Sequence, residues 1–99
     1  MATPPDETCA ERRVTVGLRL GLHVRTSARF AALCEQFACQ VRVFKDNIEV
    51  DGRSVMGLMT LAASQGQELL LRVRGPRAQE TLEALCALLE DPSSGTMVS

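Results

Sequence analysis

The stretch Gln40-Val41-Arg42-Val43-Phe44-Lys45-Asp46-Asn47-Ile48-Glu49-Val50-Asp51 decides the fold. Apolar and polar residues alternate on both sides of Asp46-Asn47, which is the period-two pattern of strands with one buried face. Asp and Asn bond readily to a turning backbone, so the pair predicts a β-hairpin. Upstream the period changes. Phe30, Leu33, Cys34 and Phe37 fall at i, i+3, i+4 and i+7, one stripe of an amphipathic helix expected over 26–37. Residues 13–20 alternate again and predict a strand that Gly21 breaks. Residues 1–11, polar and Pro-containing, read as a flexible leader.

Downstream, Asp51-Gly52 closes the hairpin and a short helix is expected over 54–63, with Leu58, Leu61 and Ala62 toward the core. Residues 68–74 predict a fourth strand, with Leu69, Leu71 and Val73 on one face. Gly75-Pro76 then leads into a last helix whose face is Ala78, Leu82, Leu85 and Leu89, with Pro76 suited to its first turn. Asp91-Pro92 stops it, and 92–99 reads as a flexible tail. The expected domain is 12–91, of the α+β class: β-α-β-β-α-β-α, an open-faced sandwich of a four-stranded antiparallel sheet with helices on one face.

Composition narrows the function. The chain has 99 residues, enough for one small core, and 45% of them are hydrophobic, too many for a disordered segment. Aromatics make up 3%, with no Trp or Tyr, so few rings could stack on nucleic-acid bases. The net charge of -1 and mixed charges argue against nucleic-acid or anionic-membrane binding. No apolar run approaches the ~20 residues that span a bilayer, and the N-terminus has no apolar signal region, so the expected location is the cytoplasm. Cys9, Cys34, Cys39 and Cys86 form no C-x-x-C pair, and one histidine cannot complete a zinc-finger pattern. Reduced thiols are expected, with Cys34 and Cys86 in the core and Cys9 the most exposed. Nothing here assembles a hydrolase site.

The one histidine, His23, lies in Gly21-Leu22-His23-Val24-Arg25-Thr26-Ser27, between a strand end and a helix start. The first N–H groups of a helix are unpaired and favour negative charge, a ready anion site. A neutral imidazole nitrogen is a competent nucleophile toward phosphorus. Arg25 could steady the phosphoryl oxygens, and Thr26 or Ser27 could cap the helix. By the same chemistry, His23 could be a solvated loop residue and Arg25 a solvent-facing charge.

Gly21-Leu22-His23-Val24-Arg25 resembles the G-L-H-x-R signature of the HPr family, the histidine-containing phosphocarriers of the bacterial phosphoenolpyruvate-dependent sugar phosphotransferase system. A second block, Val50-Asp51-Gly52-Arg53-Ser54-Val55-Met56-Gly57-Leu58-Met59, is similar to the family segment that carries a regulatory serine. The resemblance covers residues 12–90 and implies specific roles. His23 would accept a phosphoryl group on Nδ1 from phospho-Enzyme I and pass it to an Enzyme IIA domain, with Arg25 assisting. Ser54 would be the target of an HPr kinase/phosphorylase in bacteria that have one. Val24, Ala28, Val55, Met56 and Met59 would form a docking surface for those partners and for regulatory proteins. No cofactor or metal is implied, the chain would be an intermediate in a relay and no stand-alone enzyme, and a monomer is expected. Two positions depart from the family: Thr26 stands where Pro is usual, and Val24 where Thr is frequent. They motivate the alternative of a regulatory module, controlled at Ser54, in which transfer through His23 is weak or absent.

Overall fold

A computed structural model describes residues 8–92. In chain order the elements are β1 (Thr8–Thr15), α1 (Val24–Glu35), β2 (Gln40–Lys45), β3 (Ile48–Asp51), α2 (Val55–Thr60), β4 (Glu68–Gly75) and α3 (Ala78–Glu90). The strands form one sheet in the order β1-β4-β2-β3, and every neighbouring pair is antiparallel. This is the expected open-faced sandwich.

Register explains the alternation. Val14 opposes Leu69, Val41 opposes Val73, and Val43 opposes both Leu71 and Val50. All seven are buried, because they face the helices. The intervening residues, among them Glu11, Arg72, Arg42 and Asp51, share the opposite face, which no helix among the described residues covers. α3 packs on β1 and β4, and α1 packs on α2 and α3. Leu82, Leu85 and Leu89 of α3 and Phe30 of α1 are fully enclosed. Burying a side chain of that size contributes about 1.5–3 kcal/mol.

Several expected boundaries move. β1 begins at Thr8, so part of the expected leader is strand, and it ends at Thr15, well short of Leu20. Past Thr15 the chain leaves the β4 ladder: Gly17 N–H bonds to Leu89 O at 2.8 Å, on α3. Val16 and Leu18 stay buried there, but a turn at Arg19-Leu20 leaves Leu20 78% exposed. α1 runs two residues earlier than expected, and Phe37 lies beyond its end, half-buried. α2 is shorter than expected. The left-handed Ala62 (φ 50°) ends that region pointing outward, and Ala63 is buried in its stead. Pro76 is not in the first turn of α3. It precedes Arg77, the left-handed N-cap, and the Ala78 N–H finds the Thr8 hydroxyl at 3.3 Å. The tail expected over 92–99 lies outside the described residues except for Pro92.

The cysteines are all free, with Cys34, Cys39 and Cys86 buried and Cys9 exposed. Burial pushes the Cys34 thiol up to about 12. Among the described residues no helix is long and apolar enough to cross a membrane.

Candidate functional site: the His23 turn

His23 itself is the N-cap of α1, in an extended conformation (φ -112°, ψ -169°). Its Nδ1 accepts a hydrogen bond from the Arg25 N–H at 3.2 Å, satisfying one of the orphan donors of the first turn. In the neutral ring this leaves the proton on Nε2. Thr26, the third helical residue, completes a capping box: its hydroxyl accepts from the His23 N–H at 3.0 Å and donates to the Gly21 carbonyl at 2.8 Å. Neither Thr26 nor Ser27 is the N-cap, contrary to expectation. Thr26 serves from inside the helix, and Ser27 lies one residue deeper, its hydroxyl buried and without a partner among the described residues.

The turn is held from beneath. The Leu22 N–H donates to the Ala63 carbonyl at 2.9 Å. Gly21 has φ +69°, and a Cβ there would stand 2.1 Å from the same carbonyl oxygen. Only glycine allows both the backbone angle and the approach. The His23 turn therefore sits directly on the segment that follows α2.

The imidazole is half-buried, and the five residues expected to dock partners differ in exposure. Val24 is 62% and Met56 75% exposed, Ala28 is exposed, and Val55 and Met59 are half-buried. Arg25 is exposed and its guanidinium makes no ion pair among the described residues. Leu20, three residues before His23, belongs to the same set of exposed apolar side chains. Strict alternation hid it, and the signal that it lies in a turn was Gly21 directly after it.

Ser54 is the N-cap of α2, accepting from the Gly57 N–H at 2.9 Å. Its neighbour Arg53 reaches to the other end of α1, donating to the carbonyls of Phe37 at 2.9 Å and Cys34 at 3.3 Å. It also lies 3.7 Å from Glu35. α1 has no basic residue in its own last turn, so Arg53 supplies that cation from another element.

An open-faced sandwich with this order of helices and strands is the architecture of HPr-type phosphocarrier domains. The chain belongs to the HPr family: the family model described as "PTS HPr component phosphorylation site" matches residues 10–91. It is 40% identical over 79 residues to the phosphocarrier protein HPr of Cupriavidus necator, covering 80% of this chain and 89% of that one. It is 38% identical over 81 residues to the HPr-like protein Crh of Bacillus subtilis, covering 82% and 95%. The crystal structure of an HPr from Bacillus anthracis superposes with a TM-score of 0.77 at 35% identity, covering 80% of this chain and 94% of that one.

Proposed function

We propose that this chain carries a phosphoryl group on His23, taking it from phospho-Enzyme I and passing it to an Enzyme IIA domain. The observation that supports this best is the placement of Nδ1. It lies at the start of a twelve-residue helix and accepts the Arg25 N–H of the first turn. In the forward step the Nδ1 lone pair forms an N–P bond as the bond from phosphorus to the donor's leaving atom breaks. The Arg25 N–H, released from Nδ1, turns to a phosphoryl oxygen, and the exposed Arg25 guanidinium neutralises charge on the others. Delivery to the acceptor reverses these moves. Val24, Ala28, Val55, Met56 and Met59, joined by Leu20, give partners an apolar surface around the ring, with Met well suited to more than one of them.

Ser54 is the regulatory position on this reading. A phosphate on an N-cap oxygen is compatible with the helix start and places about two negative charges beside the docking surface, where they would repel an acidic partner. The second reading is a regulatory module, controlled at Ser54, in which transfer through His23 is weak or absent; the chain is also similar to a protein named HPr-like, Crh of Bacillus subtilis.

One experiment separates them. The protein is mixed with Enzyme I, magnesium and phosphoenolpyruvate and weighed intact at alkaline pH. An acid-labile gain of one phosphoryl group, absent from His23→Ala, is expected of the carrier. No gain with a cognate Enzyme I would leave the regulatory module as the better account.

A further inference from the structure

The face of the sheet turned away from the helices holds a cavity of about 660 Å³ lined by Cys9, Gln40, Arg42, Glu49, Arg72 and Arg74. Its construction is unusual for a solvated face. Arg42 and Arg72 oppose each other directly across β2 and β4. Like charges in that relation are destabilising unless something offsets them. The edge strands supply the offset. Glu11 of β1 engages Arg72 Nε, and the Arg72 guanidinium also lies 4.8 Å from the Phe44 ring centroid. Glu49 of β3 binds Arg42 Nε at 2.8 Å, with Asp51 3.6 Å from Nη1. Arg74, one step along the same face of β4, stands between Cys9 and Gln40 in register. It has no ion pair or hydrogen bond from its side chain among the described residues, and neither has Gln40.

We propose that this face is a second binding site, for a small free phosphate-bearing anion. Arg74 is the uncompensated charge, with a full fork of donors for a phosphate. The Gln40 amide and the remaining N–H groups of Arg42 and Arg72 border the same cavity. The carboxylates that hold those two guanidiniums reduce the side-chain freedom an incoming anion would have to remove. They also set the size of the ligand: Glu11, Glu49 and Asp51 flank the arginines, so a compact anion is accepted while an extended polyanion meets negative charge on each flank. The site lies opposite the helical layer that carries His23, so it can be filled while a partner occupies the His23 surface.

The test is a titration of the full chain with pyrophosphate, followed by amide chemical shifts. Saturable shifts are expected at Cys9, Gln40, Arg72 and Arg74, and Arg74→Gln should weaken binding about tenfold or more, while Arg74→Lys retains part of it. Cys9 gives a second readout, being the one exposed thiol. Its alkylation by anionic iodoacetate relative to neutral iodoacetamide should be higher in the parent than in Arg74→Gln, and pyrophosphate should protect it. Shifts confined to the first turns of α1 and α2, no saturation at millimolar pyrophosphate, or equal binding by Arg74→Gln would each overturn the proposal. So would preferential binding of anionic phospholipid vesicles over free pyrophosphate.

Discussion

The Thr26 hydroxyl donates a 2.8 Å hydrogen bond to the carbonyl of Gly21, five residues upstream, and at the same time accepts one from the His23 N–H. One buried side chain thus holds both ends of the turn that presents the imidazole. A proline, usual here in the family, would fix φ at this position but has no hydroxyl to offer the turn.

Thr26→Val keeps the shape and removes the hydroxyl. It should cost about 1–2 kcal/mol, since a cap interaction is lost and the buried Gly21 carbonyl is left short of a donor. Thr26→Ser should restore most of that. Urea unfolding measures the stability, and the rate of phosphoryl gain from Enzyme I measures the effect on His23, expected to fall with Val and recover with Ser. Equal stability of the Val variant and the parent would remove the turn-holding role.

Arg53 ties the end of α1 to the loop before α2 through the carbonyls of Cys34 and Phe37. Arg53→Met keeps the aliphatic stem and loses those donors. About 1 kcal/mol of destabilisation is expected, with faster amide exchange in 34–38 and little change in β4. Uniform exchange changes across the sheet would show that the effect is global rather than local to the helix end.

Ser54→Ala removes the bond to the Gly57 N–H and should cost about 1 kcal/mol. Ser54→Asp keeps an oxygen at the cap, so its urea midpoint should stay near the parent's. On the proposed reading its phosphoryl gain from Enzyme I should nevertheless slow, because the new charge would lie beside the surface that partners use. An Asp variant that transfers at the parental rate would detach Ser54 from partner binding.

Stability should fall in alkali. Burial raises the Cys34 thiol to about 12, and burial likewise raises Cys86. In the unfolded chain both thiols ionise near 9, so above that pH the folded state binds more protons than the unfolded one. The contribution of the Cys34 thiol is complete below about pH 9 and is lost as pH rises toward 12, at about 1.4 kcal/mol per pH unit, and Cys86 acts in the same direction. Urea midpoints measured from pH 8.5 to 10.5 should decline, and less steeply in Cys34→Val. Identical slopes would assign the decline to other groups.

Where periodicity reports burial directly, the fold was legible in the sequence. Val41, Val43 and Val50 alternate because one face of the hairpin is covered, and Leu82, Leu85 and Leu89 recur because one face of α3 is. The first half of β1 gave no such signal. Cys9, Glu11 and Arg13 point to the open face, and Arg12, at the sheet edge, meets Glu90 of α3 at 3.5 Å. That segment is a strand because β4 pairs with it, a relation across more than fifty residues that local pattern does not carry. In the site, His23, Arg25 and Ser54 stood out as a motif, but the cap did not. Imidazole is a rare N-cap, so the hydroxyls of Thr26 and Ser27 were the natural candidates. The reach of Arg53 to Phe37 is set by tertiary packing and has no sequence signature either.

The pairing of β1 with β4, from Thr8 opposite Gly75 to Thr15 opposite Glu68, also bears on how the protein is made. Synthesis runs from the N-terminus, so the first strand leaves the ribosome long before β4, its neighbour in the sheet among the described residues, exists. The hairpin of β2 and β3 can form early, but the sheet cannot close until β4 has emerged, and the start of α3 then meets the Thr8 hydroxyl. Such non-local closure slows folding and leaves nascent chains with an unpaired strand. Chains released before residue 75 should therefore be substrates for quality-control proteases, and the domain should gain protease resistance in one late step of translation.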